Sequence, residues 1–327
     1  MKISNETKIK MLREMIRIRR FEEVSGDMYR AGTLTGAMHS GEGQEAVPVG
    51  VCMNLREDDY IQSSHRGHGH VLAKGGEFKP MMAELFGKTT GYCRGRGGSM
   101  HFACVEKNIL GTNGIVGAGV PIAAGVGYSI KYRGTDQLVA CFMGDGACNT
   151  GAFHEGINIA SVLDAPVLFI IENNQWAISV PRKWSDRLDN LSQRHWSYNI
   201  PGETVDGNDV IAVYESIKKA VKEIRAGKGP ALIECKTYRW KGHHAGEPAS
   251  LNYRDSDEVK AWLKKCPIKK LEKQMIAENV ISRAKIDKMT QDIDRELDEA
   301  VEFAKKSPLP DPGSLFDNLY VSTGGEK

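Results

Sequence analysis

Two apolar runs in this chain each end on polar residues that could hold a metal ion. The stretch "VACFMGDGACNTGAF" runs from Val139 to Phe153 and breaks on Gly144-Asp145-Gly146. The stretch "VLFIIENNQWA" runs from Val167 to Ala177 and breaks on Asn173-Asn174. A carboxylate and an amide oxygen are hard ligands, suited to Mg²⁺ or Ca²⁺, and Mg²⁺ commonly completes its octahedron with water and phosphate oxygens. Glycine on either side of Asp145 lets the chain turn sharply and keeps Cβ atoms away from a ligand. A dinucleotide fingerprint would need glycine at 149, where Asn149 stands, and no Walker pattern occurs. The plain alternative is a turn capped by Asp and Asn, with no metal.

Two further segments carry titratable groups. "SSHRGHGH" (63–70) places three histidines and Arg66 among glycines. No cysteine or acid sits nearby at zinc-ligand spacing, so the choice is between structural hydrogen-bonding histidines and a functional loop on a rigid scaffold. "TYRWKGHHAGEP" (237–248) holds Arg239, His243 and His244. A forked guanidinium suits phosphate, and the alternative for the histidine pair is a solvated loop. Gln44, Glu45 and Glu155 are polar residues in apolar settings. Glu155 reads equally as a residue behind the site or at a subunit contact and as an ordinary solvated helix acid.

These residues need elements to bring them together. Asn5 to Arg30 reads as a helix, with Ile9, Leu12, Met15, Ile16, Ile18 and Phe21 near helical spacing. Gln137–Met143 reads as a buried strand, Ala152–Val162 as a helix, and Pro166–Ile171 as a second buried strand. Val210–Ile224 is an amphipathic helix closed by "AGKGP", and Ala231–Tyr238 is a third strand. Alternating strands and helices predict an α/β domain with a mainly parallel sheet. Right-handed crossovers put the carboxyl ends of such strands on one edge, where open α/β sheets bind ligands. Asp145, Asn174 and the 237–248 loop all leave that edge. The helix after Cys148 should aim its N-terminus at a bound anion. Glycine-rich "GRGGSMHFA" and "GTNGIVGAGVPIAAGVG" (111–127) imply unusual backbone or tight packing. The tail from Asp255 predicts two polar helical stretches ending in "KSPLPDPGS". With no boundary for a second domain, residues 1–327 read as one domain, and 255–327 as its helical C-terminal appendage.

Bulk properties narrow the class. The chain has 327 residues, 41% hydrophobic and 26% charged, with a net charge of +2. No strong field argues for nucleic acid or an acidic membrane. No apolar run approaches the roughly 18–20 residues of a spanning helix. The N-terminus, "MKISNETKIK", lacks the apolar core of a signal peptide and is not a convincing transit peptide. Seven cysteines are scattered without a C-x-x-C pair, which favours reduced thiols and a cytoplasmic location.

Gly144-Asp145-Gly146 followed by Asn173-Asn174 resembles the thiamin-diphosphate signature. "MMAELFGKTTGYCRGRGGSMHFA", "GTNGIVGAGVPIAAG", "GDGACNTGAFHEGINIAS" and "KTYRWKGHH" narrow the likeness. They resemble the alpha subunit of the two-subunit, thiamin-dependent first component of 2-oxo acid and acetoin dehydrogenase complexes. The resemblance runs from about residue 8 to 305. It implies a thiamin-diphosphate-binding α/β fold with a mainly parallel sheet flanked by helices and a helical tail. By the same resemblance Asp145, Asn174 and the backbone carbonyl of Trp176 would bind Mg²⁺; the family usually has tyrosine at 176, and a backbone ligand tolerates the change. Arg66 and Arg239 would contact the diphosphate. Gly114 and Val116 would meet the aminopyrimidine, and Ile115 would support the bent cofactor. His65, Gly144, Gly146, Ala147, Ile178 and His243 complete the implied cofactor contacts. His68 would line the active site, and His68 and His243 would serve proton transfer.

The substrate expectation rests on one loop. His65 stands where pyruvate-acting relatives usually carry tyrosine, and the His-Arg-Gly-His-Gly-His string is more similar to acetoin dehydrogenases. The implied reaction cleaves acetoin and transfers the two-carbon unit oxidatively to lipoamide, with pyruvate second and branched-chain 2-oxo acids third. His244 occupies the place of a regulatory serine in animal pyruvate enzymes, so phosphorylation there is excluded. In the family the carboxylate that activates the aminopyrimidine belongs to a second chain. The resemblance therefore implies a beta subunit in an α2β2 heterotetramer, an inactive lone alpha subunit, and a lipoyl-bearing acyltransferase as second component. The small-residue faces at 111–127 suit such an interface or close core packing equally. An opposing class is a Mg²⁺-dependent nucleotide-binding or interaction protein that has lost catalysis.

Overall fold

The computed structural model describes residues 3–248, 253–317 and 319–320. Positions 249–252 of the loop at 241–256, and positions 318 and 321–327 of the tail, lie outside the described residues.

Among the described residues eight strands form: β1 (Tyr60–Gln62), β2 (Ile109–Gly111), β3 (Val139–Gly144), β4 (Val167–Asn173), β5 (Trp176–Ala177), β6 (Val180–Pro181), β7 (Gly202–Asp206) and β8 (Ala231–Lys236). Six of them make one sheet in the order β2-β1-β3-β4-β8-β7, and every pairing in it is parallel. The remaining two make a small antiparallel hairpin, with Trp176 opposite Pro181 and Ala177 opposite Val180. The three sequence-predicted strands are β3, β4 and β8, shifted at their ends by one or two residues. They read clearly because both faces of β3 and β4 are buried, which demands continuous apolar runs.

The helices explain the two faces. They are α1 (Asn5–Arg30), α2 (Ala46–Cys52), α3 (His68–Ala73), α4 (Phe78–Leu85), α5 (Gly119–Tyr132), α6 (Gly151–Val162), α7 (Arg182–Ser185), α8 (Val210–Arg225), α9 (Ser256–Leu263), α10 (Pro267–Ala277) and α11 (Arg283–Lys306). On one face of the sheet Val139, Cys141, Met143, Val167, Phe169 and Ile171 pack against α5 and α6. Ala140, Phe142, Leu168 and Ile170 point the other way, into a larger core shared with α1, α2, α4, α8, α10 and α11. This period-two alternation follows from the pleat.

The first helix matches its sequence pattern. Ser4 caps it by accepting from Thr7 N at 3.1 Å, and Met11, Leu12, Met15, Ile18 and Phe21 are buried. After Asp255 the described residues form three α-helices where the sequence pattern predicts two. Pro267 at the first position of α10 separates it from α9, because proline starts helices readily and cannot continue them. The last helix buries Ile286, Ile293, Leu297, Ala300 and Ala304 in the same core as α1. Among the described residues no helix is long and apolar enough to cross a membrane.

Candidate active site

The strands β1, β3 and β4 end beside one another on the carboxyl edge of the sheet. A cavity of about 210 Å³ opens there. Gly144, Asp145, Gly146, Ala147, Asn174, Trp176 and Ile178 line it, together with His65, Arg66, Ile115, Val116 and His243. Twelve positions implied by the sequence resemblance therefore come to one cavity. Ser63, Glu172 and Phe142 also line it; the sequence reading named none of these three as site residues.

Asp145 heads a short 3-10 turn, Asp145–Asn149, after which α6 starts at Gly151 with Thr150 as its cap. Its carboxylate is buried, and Oδ2 has no hydrogen-bond partner. Burial pushes the carboxyl up to about 6. Gly144 has open space where a Cβ would stand, so a side chain there would intrude on the cavity. Gly146 has a different reason: a Cβ would come 2.9 Å from that of Ala177. Neither glycine needs a positive φ, so the sharp turn expected from their conformational freedom is not what they supply. Asn174 is 5% exposed. Its Oδ1 accepts from Trp176 N at 3.3 Å, and its Nδ2 donates to Gln44 Oε1 at 3.4 Å.

The cations sit around this pair. Arg66 is anchored by donating to Ser40 O and His243 O, each at 2.8 Å. Burial pulls its guanidinium down to about 10, and nearby Arg239 adds to the effect. Arg239 is fully buried behind the cavity. It donates to Ile178 O at 2.9 Å and to the Tyr253 hydroxyl at 2.5 Å, while its Nε is without a partner. Burial lowers its pKa too. Two buried cations with strained protonation, beside a buried carboxylate oxygen lacking a partner, fit a divalent cation that carries anionic oxygen ligands. No group of three or more His, Cys, Asp or Glu forms a metal cluster among the described residues. A site of one carboxylate, one amide and one backbone carbonyl is a weaker protein cage, which suits a cation completed by phosphate and water.

Histidines line the mouth. The ring of His39 lies 4.8 Å from both His65 and His243, and those two are 5.8 Å apart. Burial, then the Arg66 charge, depresses all three: His39 to about 3, His65 to about 2 and His243 to about 4. They are neutral at pH 7. Arg66 Nη2 lies 3.3 Å from His243 Nδ1. Arginine can only donate, so Nδ1 accepts and the His243 proton resides on Nε2. His39 escaped the sequence reading because it is a lone histidine in "GAMHSGEGQEA". Its only signal there is the glycine-rich loop leading to the polar pair Gln44-Glu45.

Two of the expected site residues do not line the cavity. His68 is fully buried on α3, with Nδ1 3.1 Å from Glu22 Oε2 and Nε2 2.9 Å from Ser99 Oγ. Both ring nitrogens are thus within hydrogen-bond distance of a neighbouring side chain. Gly114 is not in the cavity wall either; a Cβ there would sit 3.4 Å from the His101 ring. Its neighbours Ile115 and Val116 do project at the mouth and are exposed. Glu155 is an exposed residue of α6.

Known proteins share this sequence over nearly its whole length. The alpha subunit of acetoin:2,6-dichlorophenolindophenol oxidoreductase from Bacillus subtilis is 41% identical over 98% of this chain and 95% of its own. The subunit of the same name from Cupriavidus necator is 39% identical over 98% of this chain and 96% of its own. The chloroplastic pyruvate dehydrogenase E1 component subunit alpha-3 of Arabidopsis thaliana is 38% identical over 99% of this chain and 76% of its own. Residues 13–313 match the family described as the dehydrogenase E1 component, and the chain belongs to that family.

Proposed function

We propose that this chain is the alpha subunit of a thiamin-diphosphate-dependent dehydrogenase that cleaves acetoin and passes the two-carbon unit oxidatively to lipoamide. The observation that carries the reading is the unpartnered Oδ2 of buried Asp145, at the edge of the sheet and in one cavity with Asn174, Trp176 and Arg66. In this reading Asp145, the Asn174 amide oxygen and the Trp176 carbonyl hold Mg²⁺. Arg66 and Arg239 bind the diphosphate, with Gly144, Gly146 and Ala147 leaving room for it. When bound, thiamin diphosphate supplies a C2 carbanion that adds to a carbonyl and then acts as an electron sink.

The chain's own residues bind and orient the ligands. His243, neutral with its proton on Nε2, donates a hydrogen bond to a substrate oxygen and orients it. His65 and His39 keep the mouth uncharged next to Arg66, which directs the anionic end of a ligand inward. Gly114, Ile115, Val116 and Ile178 stand for the aminopyrimidine end, where apolar side chains exclude water. That end is open in the lone chain: Ile115 and Ile178 are 71% and 60% exposed. A beta subunit covers it, and the working enzyme is an α2β2 heterotetramer that hands its product to a lipoyl-bearing acyltransferase. Residues 1–327 serve as one thiamin-diphosphate-binding domain, its C-terminal helices included, in the cytoplasm.

A pyruvate-acting subunit is the second reading, favoured by relatives that carry that name at 38–39% identity. The test uses the alpha–beta complex. Thiamin diphosphate with Mg²⁺ raises its melting temperature and ADP does not; absence of that stabilisation overturns the cofactor assignment. Dye reduction is then fastest with acetoin, compared with pyruvate and 3-methyl-2-oxobutanoate. A wide margin for pyruvate replaces the first reading by the second.

A further inference from the structure

An asparagine amide packs equally well either way round, so only hydrogen bonding decides whether its oxygen or its nitrogen faces a site. A divalent cation needs the oxygen. At Asn174 that decision is made behind the cavity, by Gln44. The Gln44 side chain is buried, and its Oε1 lies 3.4 Å from Asn174 Nδ2. Its own Nε2 is buried with no partner. One residue on, Glu45 is fully buried; its Oε1 accepts from Arg19 Nε at 2.6 Å and from Gly43 N at 2.9 Å. Its Oε2 is buried with no partner either. Gln44 and Glu45 share the wall of a chamber of about 10 Å³, beside the main cavity and lined also by Ile18, Pro48, Arg66, His70 and Glu172. That is about the volume one water occupies, and the chamber is polar enough to hold it.

We infer that Gln44 is a positioning residue that fixes the orientation of the Asn174 amide, through one water shared with Glu45. Arg19 only donates, and the Glu45 carboxylate only accepts. With both its hydrogens given to carboxylates of the chamber wall, Glu45 Oε2 and Glu172, the water accepts from Gln44 Nε2. This turns Gln44 Oε1 toward Asn174, where an oxygen can only accept. Asn174 meets it with Nδ2 and keeps Oδ1 for the cavity. The Trp176 backbone N–H, 3.3 Å from Oδ1, selects the same orientation. The buried carboxylates of the chamber thus set which atom of Asn174 a cation meets, without touching the cation. The inference rests on the reading of the cavity as a magnesium diphosphate site.

The test measures Mn²⁺ binding to the alpha–beta complex in saturating thiamin diphosphate, reading free Mn²⁺ by electron paramagnetic resonance. Gln44→Met removes the acceptor. Glu45→Gln keeps the shape but lets the amide donate to the water, so the polarity of the chain is lost. Both weaken Mn²⁺ about tenfold, the lower end of the effect of groups that orient metal ligands. In an Asn174→Asp background both outer atoms are oxygens and orientation no longer matters, so adding Gln44→Met changes the affinity less than twofold. A merely structural Gln44 would give additive effects instead. Mn²⁺ affinity within twofold of the unaltered complex for Glu45→Gln, or full additivity with Asn174→Asp, overturns the inference and leaves the cofactor reading intact. An unaltered complex that takes up no Mn²⁺ overturns both.

Discussion

Arg239 holds Ile178 in a conformation that isoleucine rarely adopts. The guanidinium donates to the Ile178 carbonyl at 2.9 Å, and Ile178 sits at φ 53°. A β-branched residue in the left-handed region carries strain of about 1–3 kcal/mol, and such strain persists only where the surroundings over-determine it. Here the surroundings are the β5–β6 hairpin on one side and a fully buried arginine on the other. The result is an apolar side chain held out at the cavity mouth, 60% exposed.

Ile178→Gly relieves that strain, offset in part by the greater freedom of glycine in the unfolded chain. The complex should unfold in urea at an unchanged midpoint or with a gain of up to about 1 kcal/mol. Turnover should fall, because the apolar contact at the mouth is gone. A clear loss of stability would show that the backbone is relaxed with isoleucine in place.

The parts of this arrangement that the sequence announces are those where one physical demand dominates. Buried strands must be apolar throughout, so β3 and β4 stand out, and the polar residues that end them, Asp145 and Asn174, stand out with them. The hairpin that strains Ile178 leaves no such mark, because a positive φ at isoleucine contradicts local preference. A string such as "HRGHGH" cannot tell which histidine faces the cavity: Arg66 does, whereas His68 turns into the core to meet Glu22 and Ser99. His39 joins the site from a loop distant in sequence from the other histidines. Gly114 carries no side chain whose chemistry could reveal its place. The break between α9 and α10 turned on Pro267, inside an otherwise continuous polar helical pattern.

Asp145→Asn should separate binding from stability. Burial raises this carboxyl from its ordinary 3.8 to about 6. The native protein then keeps the proton to a higher pH than the unfolded chain. The stabilising contribution is complete below about pH 4 and is lost as pH rises to about 6, a difference of roughly 3 kcal/mol. In the cofactor-free complex Asp145→Asn should therefore raise stability by about 1–3 kcal/mol at pH 8 and have little effect at pH 4. Thiamin diphosphate with Mg²⁺ should no longer shift its melting temperature. Chemical unfolding at the two pH values, with and without cofactor, checks both halves.

The histidine cluster should give the opposite sign. His39 is depressed from 6.5 to about 3. Its contribution to stability is present above about pH 6.5 and is lost as pH falls, because the unfolded chain takes up a proton that the native site refuses. Between pH 7.5 and 5.0 the cofactor-free complex should lose stability, and His39→Asn should reduce that loss by roughly 1 kcal/mol. Urea unfolding across this range is the measurement. An unchanged pH slope in His39→Asn would mean that His39 takes up its proton as readily in the native state as in the unfolded chain.

Arg194 should hold the turn that Asp145 begins to the segment that follows β6. It donates to Cys148 O at 2.6 Å, to Asn149 Oδ1 at 2.9 Å and to His154 Nε2 at 2.9 Å, and it pairs with Asp186. Cys148 and Asn149 belong to the same short turn that Asp145 begins. The Asp186 side chain is only 3% exposed, so removing its partner leaves a buried charge uncompensated. Arg194→Met should cost about 3–5 kcal/mol, and Arg194→Lys should recover only part, since an ammonium cannot span four acceptors in a fixed plane. Trypsin should then cut the loosened segment at Arg182, Lys183 or Arg187 in the Met variant before the rest of the chain is attacked. Cofactor affinity should fall with it, because Asp145 loses the far anchor of its turn. Adding Asp186→Asn to Arg194→Met should restore most of the stability and little of the affinity, since the stranded charge is removed while the turn stays untied. Recovery of both together would place the effect in the ion pair alone and not in the tether to Cys148 and Asn149.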